Sequence, residues 1–270
     1  MSIQVLITTM QLALENTEEL LKRLNISSDF IIGNQTDIDS SAEIAYGKHK
    51  GIVVSRKERG VGNNRNITLK YATSDICMLS DDDMCFVDDY TEIVESVFRD
   101  LPDADAVVFN LGNAGKGRRE NTKIIKLNRY NYMNYGAARM AFRRKAISYN
   151  GIFFNTNFGG GTAHSAGEDV LFIGDCIKKG LQVYAVPQTV AYLTDDREST
   201  WFNGYTEKYL NDKGVFLAVA DSKMARLMAL YLAIRHREYR TREKNLWKVY
   251  TDICRGIDYI TKREFLNDEN

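Results

Sequence analysis

Ile76-Cys77-Met78-Leu79-Ser80-Asp81-Asp82-Asp83-Met84-Cys85-Phe86 climbs from an apolar run into three consecutive carboxylates and returns to an apolar segment. An apolar run of this length bounded by polar residues suits a buried strand, although periodicity alone leaves a helix open. As a strand, it delivers Asp81, Asp82 and Asp83 to the carboxyl end of a sheet, where open α/β folds bind their ligands. Three adjacent carboxylates repel one another and call for a positive partner. Their hard oxygens favour Mg²⁺ or Mn²⁺, ions that stay partly hydrated and bridge to substrate phosphates. A solvated acidic turn accounts for a bare run of aspartates equally well, so the flanking sequence has to decide.

Upstream, Ile3 to Thr8 is a short apolar strand candidate, and Leu12, Leu20, Leu21 and Leu24 follow at roughly helical spacing. Phe30 to Ile32 is a second strand that runs into the polar loop Gly33-Asn34-Gln35-Thr36-Asp37, and Gly51 to Ser55 is a third. Strand, helix, strand with polar strand ends begins a parallel α/β sheet. Arg59-Gly60-Val61-Gly62-Asn63-Asn64-Arg65-Asn66 then reads G-x-G-x-x-R, a weak match to a dinucleotide fingerprint that lacks its last glycine. A glycine-rich turn before a helix explains the glycines without any ligand. It leaves Arg65 and Asn66, expected on the first turn of that helix, unexplained; a guanidinium beside helix N–H groups suits a nucleotide or its phosphates.

Downstream, Asp88 to Arg99 is amphipathic, and Ala106–Asn110, Ile124–Leu127 and Ala138–Phe142 are strand candidates. The basic triplet Arg143-Arg144-Lys145 reads as a solvated face, and Gly112 to Asn121, with Lys116, Arg118 and Arg119, as a loop. Asn155 to Asp169 breaks all periodicity around Gly159-Gly160-Gly161, and long irregular loops inside compact domains tend to be functional. Glu168-Asp169 opens an amphipathic helix that ends at Lys178-Lys179-Gly180. Acidic residues are favourable at any helix start, so the pair has a purely structural explanation as well. Leu181–Val186 and Val190–Leu193 are the last strand candidates, followed by Ser199-Thr200-Trp201-Phe202 and a helical run from about Asn203.

The 270 residues carry 36 Lys+Arg and 36 Asp+Glu, a balance that argues against a general nucleic-acid binder. No apolar stretch reaches transmembrane length, and MSIQVLITTM has neither the basic start nor the length of a signal peptide. Cys77, Cys85, Cys176 and Cys254 have no metal-site spacing and read as reduced residues of a cytoplasmic protein. From Lys223 the chain is helical and charged, with Met224, Leu227, Met228, Tyr231, Leu232 and Ile234 among several arginines. Such helices pack onto a domain or partner, or lie on anionic membranes.

With these residues in hand, the chain resembles a family 2 glycosyltransferase of the GT-A fold, and is most similar to bacterial members that build capsule, O-antigen or other surface polysaccharides. The resemblance spans about residues 3 to 215. It rests on the block from Gly60 to Phe86, on Gly167-Glu168-Asp169 and on Ser199-Thr200-Trp201-Phe202. One departure is the second strand, which ends Gly33-Asn34-Gln35-Thr36-Asp37 where many relatives carry an acidic pair. The resemblance implies an α/β, Rossmann-like mixed sheet flanked by helices over residues 1–222, with a helical extension over 223–270. It implies an inverting, Mn²⁺- or Mg²⁺-dependent transfer of a sugar from a nucleotide-sugar donor, a UDP-sugar by preference. The acceptor would be a saccharide or lipid-linked saccharide. Asp83, with Asp81, would ligate the metal. Thr8, Asn34, Gln35, Arg65, Asp81 and Asp82 would hold the nucleotide. Asp169 would be the general base with Glu168 beside it, and Gly160, Gly161 and Trp201 would shape the acceptor pocket. The protein would be cytoplasmic, its C-terminal helices either packed on the domain or a partner or in peripheral contact with the inner face of the cell membrane.

Other chemistries use similar residues. A haloacid-dehalogenase-type phosphatase also places D-x-D after a strand, but no later lysine and acidic motifs match. A nucleotidyltransferase needs nucleotide, metal and carboxylates, but would carry a glycine-rich basic loop after the first strand, and Thr8 to Leu14 is neither. A non-catalytic sugar-binding relative would have no need of both the aspartate run and Glu168-Asp169.

Overall fold

In a computed structural model the described residues are 1–112, 120–164, 166–194, 204–240 and 244–267, with side chains to residue 261. The chain forms two compact units, Met1–Arg197 and Glu198–Asn270.

The first unit is built on one ten-stranded mixed sheet. In chain order its elements are β1 (Ile3–Met10), α1 (Thr17–Arg23), β2 (Asp29–Gln35), β3 (Ser40–Tyr46), β4 (His49–Arg56), α2 (Val61–Tyr71), β5 (Ile76–Asp81) and β6 (Met84–Phe86). They continue with α3 (Tyr90–Asp100), β7 (Ala106–Gly112), β8 (Ile125–Lys126), β9 (Met140–Arg143), α4 (Arg144–Tyr149), α5 (Glu168–Lys178) and β10 (Val183–Leu193). The strand order is β3-β4-β2-β1-β5-β9-β7-β10-β6, with β8 on β10. β4, β2, β1 and β5 run parallel, while β3 and β9 pair antiparallel to their neighbours. The chain thus winds outward from β1 through β2 to β4, then crosses to the other side of β1 to form β5. That reversal opens a crevice at the carboxyl ends of β1 and β5, the place where such sheets bind ligands.

The central strands are apolar on both faces because both are covered. Val5, Ile7, Phe30, Ile32, Ile76 and Met78 belong to one core. Leu6, Ile31, Cys77 and Leu79, the alternate residues, belong to the other, with Phe142, Phe154 and Phe172. Successive side chains of a strand point to opposite faces, so a doubly covered strand reads as a continuous apolar run. All four cysteines are free thiols.

Several sequence expectations are corrected. Gly33, Asn34 and Gln35 are not loop; they complete β2, paired with β4 as far as Gln35–Arg56. The edge strand β3 was not expected, since its half-exposed residues give no apolar run. Leu181–Val186 and Val190–Leu193 are one strand, β10, whose register on β7 shifts around Pro187 and Thr189. Proline removes a ladder donor, so the strand bulges there instead of ending. α2 begins at Val61, so Arg65 sits on its second turn, below the helix mouth. The basic triplet is not simply a solvated face. Arg143 donates to the carbonyls of Ala104, Phe98 and Pro102 at 2.8–3.3 Å, and Arg144 to that of Ser74 at 2.9 Å.

The second unit holds α6 (Glu207–Ala220), α7 (Ala225–Arg235) and α8 (Leu246–Asn267). α6 packs on α8 so tightly that a Cβ on Gly214 would lie 1.8 Å from the carbonyl oxygen of Ile253, and one on Gly256 2.0 Å from that of Asn211. Among the described residues no helix is long and apolar enough to cross a membrane.

Candidate active site

The site begins with strand register. Thr8 on β1 stands beside Asp81 on β5. The Thr8 hydroxyl donates to Asp81 Oδ1 at 3.1 Å, and the Thr9 hydroxyl to Asp82 Oδ2 at 2.6 Å. Asp81 is the last residue of β5, and Asp82 and Asp83 form the turn into β6. The carbonyl of Asp82 accepts from Arg23 Nη2 at 3.0 Å, and that of Asp83 from both the amide and hydroxyl of Thr194 at 2.9 Å. The aspartate turn is therefore clamped at both residues.

α2 supplies a cation to Asp81, the first of the three adjacent carboxylates, and it is a buried one. Arg65 is 3% exposed, and its guanidinium lies 5.3 Å from the centre of the Phe154 ring, which stacks on Phe172. Nη2 donates to Asp81 Oδ1 at 2.9 Å; Nη1 donates to Glu168 Oε1 at 3.2 Å and to Asp169 Oδ1. One guanidinium thus joins the end of β5 to the first turn of α5. Burial disfavours its charge, but Asp169, Asp81 and Glu168 outweigh that penalty and raise its pKa above the ordinary arginine value.

Glu168 is the group that yields. Burial and the neighbouring Asp169 carboxylate push its pKa up to about 7, with Arg65 only partly offsetting them. Glu168 and Asp169 are the first two residues of α5, where the free N–H groups and helix dipole favour negative charge. The glycine-rich loop closes over them. Gly159 has φ +98°, and a Cβ there would lie 2.4 Å from Val61 Cγ1 and 2.7 Å from the Glu168 carboxyl group. The carbonyl of Gly160 accepts from the Val61 amide at 3.1 Å, tying this loop to the start of α2.

A cleft of about 550 Å³ opens above these groups. Asp81, Asp83, Glu168 and Asp169 line it, with Tyr135, Gly136 and Arg139 among the facing residues. Among the described residues, four carboxylates line the cleft against Arg139, with Arg65 bound to three of them from beneath, so carboxylates outnumber cations there. Among the described residues no group of three His, Cys, Asp or Glu side chains is disposed to hold a metal unaided.

The expected residues separate into those that meet here and those that do not. Asp81, Asp83, Glu168, Asp169 and Arg65 come together, with Thr8 and Asp82 at the edge. Asn34 and Gln35 have other engagements. Asn34, 1% exposed, brackets the Leu12 amide and carbonyl at 3.0 and 2.9 Å and donates to Ser55 Oγ at 3.1 Å. Gln35 Oε1 accepts from the Gly60 amide at 2.8 Å and so fixes the turn into α2, where φ is +108°. Gly161 lies on the loop that carries Gly159, and Trp201 lies outside the described residues, as do Lys116, Arg118 and Arg119. Sequence reasoning missed Thr9, Tyr135, Gly136 and Arg139. The Thr8-Thr9 pair at a strand end was a usable signal for Thr9. Tyr135 and Gly136 sit in irregular chain with no periodicity to betray them, and Arg139 ends a 3₁₀ turn, Ala137–Arg139, inside the stretch read as the strand Ala138–Phe142.

The sequence model described as glycosyl transferase family 2 matches residues 13–163. A search of the curated proteins finds no match. The fold is similar to residues 1–349 of Staphylococcus aureus TarS in complex with UDP-GlcNAc, with TM-score 0.61 and 13% identity over 94% of this chain and 90% of that one. Against a longer TarS structure the TM-score is 0.58 at 13% identity, over 89% of this chain and 44% of that one. The mannosyltransferase PcManGT from Pyrobaculum calidifontis, in complex with GDP-Man and Mn²⁺, is similar with TM-score 0.50 and 14% identity, over 93% of this chain and 68% of that one.

Proposed function

The chain belongs to glycosyl transferase family 2 and has the GT-A fold, and on that footing we propose that it transfers a sugar from a nucleotide-sugar donor to a hydroxyl of a saccharide or lipid-linked saccharide. The observation that carries the reading is the union, in one cleft, of the aspartate turn after β5 with the acidic start of α5 through Arg65. The first provides a place for a diphosphate and its cation. The second provides a carboxylate for the acceptor. The structures of similar fold that contain UDP-GlcNAc or GDP-Man support a nucleotide-sugar donor.

The excess of carboxylates in the cleft argues for a divalent ion. A diphosphate brought beside Asp81 and Asp83 would be repelled unless a cation stood between them. Hard carboxylate oxygens suit Mn²⁺ or Mg²⁺, and two of them, completed by diphosphate and water oxygens, match the way such ions bind nucleotides. Asp83 and Asp81 would hold the ion. When bound, it would neutralise the charge that gathers on the departing diphosphate.

The protein's own groups would do the rest. Asp169, on the rigid first turn of α5, accepts the proton of the acceptor hydroxyl as that oxygen attacks the anomeric carbon. The bond from that carbon to the diphosphate breaks, and the nucleoside diphosphate leaves with the electron pair. Attack from the opposite face inverts the anomeric configuration. Arg65 orients Asp169 and Asp81 from below the cleft; it is a positioning residue rather than a nucleotide contact. Glu168, held partly protonated near neutral pH, can donate a hydrogen bond to the acceptor. Thr8 and Thr9 fix Asp81 and Asp82. Asn34 and Gln35 hold the backbone around the donor site, and Gly160, Gly161 and Trp201 belong to the acceptor side. Incubation with a panel of UDP-, GDP-, dTDP- and CMP-sugars and candidate saccharide acceptors, read by released nucleotide, tests the reading. Turnover with one donor class supports it, and none with any donor contradicts it.

A further inference from the structure

The second unit presents a face that its own packing does not explain. α7, Ala225–Arg235, buries Ala225, Ala229 and Ala233, three small residues one turn apart. The opposite side carries Leu227 and Tyr231, each 60% exposed, and Ile234, 54% exposed. At about 100° per residue these three fall within one narrow arc, opposed to the alanines. A helix that packs through its alanines and turns its large apolar residues outward inverts the usual arrangement of a surface helix.

Between Asp221 and Glu238 the charges of this segment are of one sign. From residue 223 to 237 the chain carries Lys223, Arg226, Arg235 and Arg237 and no acidic residue. Lys223 and Arg226 stand at the start of the helix, and Arg235 and Arg237 at its end, all exposed. Arg226 is tied to Asp258 of α8 at 2.5 Å, and the nearest acid in sequence, Glu238, faces His236 at 2.6 Å. Arg240 folds back onto the last carbonyls of α7, those of Ala233 and Ile234 at 2.9 and 2.7 Å. Cations at both ends of a short apolar stripe, with the long axis of the helix lying flat, match a surface that offers anionic headgroups over apolar chains.

We infer that the outer face of α7 docks the protein on an anionic lipid bilayer, with Leu227, Tyr231 and Ile234 entering the interface and Lys223, Arg235 and Arg237 on headgroup phosphates. This goes beyond the transfer reaction and does not depend on it: the docking experiment requires no donor, acceptor or metal, so it stands or falls separately.

The test is flotation of the full chain with vesicles of phosphatidylcholine alone and of phosphatidylcholine mixed with phosphatidylglycerol, at low and high salt. The expected result is co-flotation with the mixed vesicles only, weakened by salt as the Debye length shortens. Leu227→Glu with Tyr231→Glu should abolish it. Arg235→Glu with Arg237→Glu, which leaves the apolar residues untouched, should weaken partitioning by ~30-fold or more, since each cation near such a surface is worth about a factor of five to ten. Circular dichroism checks that the exposed substitutions leave the helices intact. Absence of co-flotation by the unaltered protein, or equal co-flotation by both variants, would overturn the inference. So would self-association, by light scattering, that Leu227→Glu with Tyr231→Glu dissolves, because a second copy would then be the occupant.

Discussion

Arg65 and Asp81, sixteen positions apart, meet at 2.9 Å beneath the cleft, and the same guanidinium holds both acidic residues that start α5. This contact makes two halves of a site into one: the crevice between β1 and β5 acquires a fixed position relative to α5. It also places a single positive charge where three negative ones converge.

Removing that charge should be costly. Breaking a buried ion pair from one side typically costs about 3–5 kcal/mol because the remaining charges are left uncompensated. Arg65→Ala should lower stability by an amount in this range in chemical denaturation. Arg65→Lys should recover only part of it, since an ammonium cannot span three carboxylates as the planar guanidinium does. A stability change below about 0.5 kcal/mol in Arg65→Ala, the range of ordinary surface substitutions, would show that the cluster does not depend on it.

The helix holding Arg65 was legible in the sequence, but the partners of Arg65 were not. The G-x-G turn suggested that residue 65 stands on the first turn, whereas α2 begins at Val61 and carries Arg65 on its second turn, against Asp81, Glu168 and Asp169. The aspartate strand, the α5 start and the parallel order of the sheet were legible because a doubly covered strand leaves an uninterrupted apolar run and an amphipathic helix a period of 3.6. β3 was not, because a half-exposed edge strand leaves neither. Asn34 and Gln35 were expected at the donor because they end the strand on which many relatives carry an acidic pair. Their buried hydrogen bonds to Leu12 and Gly60 are long-range pairings that no local pattern reports.

Glu168 should make stability depend on pH. Its folded pKa of about 7 lies above the ordinary 4.5, so the folded state binds its proton more tightly than the unfolded chain. The associated stabilisation is fully present below the unfolded value and is lost as pH rises through 7. It amounts to at most roughly 3 kcal/mol. Between about pH 5 and 8, Glu168→Gln should flatten the pH dependence of the melting temperature relative to the unaltered protein. Equal slopes in both proteins would refute the raised pKa.

Asp169→Asn should keep donor binding and lose about 10²- to 10⁴-fold in transfer, the usual worth of positioned proton transfer. Binding by calorimetry and turnover by nucleotide release separate the two effects. Near-normal turnover would rule Asp169 out as the base.

Gly159→Ala should distort the site from the loop side. The new Cβ would meet Val61 and the Glu168 carboxyl, at a φ that L side chains rarely adopt. A loss of stability of about 1–3 kcal/mol is expected, with transfer falling further than donor binding. A variant as stable and active as the unaltered protein would show that the loop is free to move away.

A nucleoside diphosphate with a divalent ion is the proposed occupant of the cleft at the ends of β1 and β5. The most direct test is calorimetric titration of UDP, GDP, dTDP and CMP into the unaltered protein and Asp83→Asn, each with Mn²⁺ and with chelator. One nucleotide should bind the unaltered protein in a metal-dependent manner, and Asp83→Asn, still folded, should lose this binding. Failure of every nucleotide to bind the folded protein, or full Mn²⁺-stimulated binding by Asp83→Asn, would contradict this assignment.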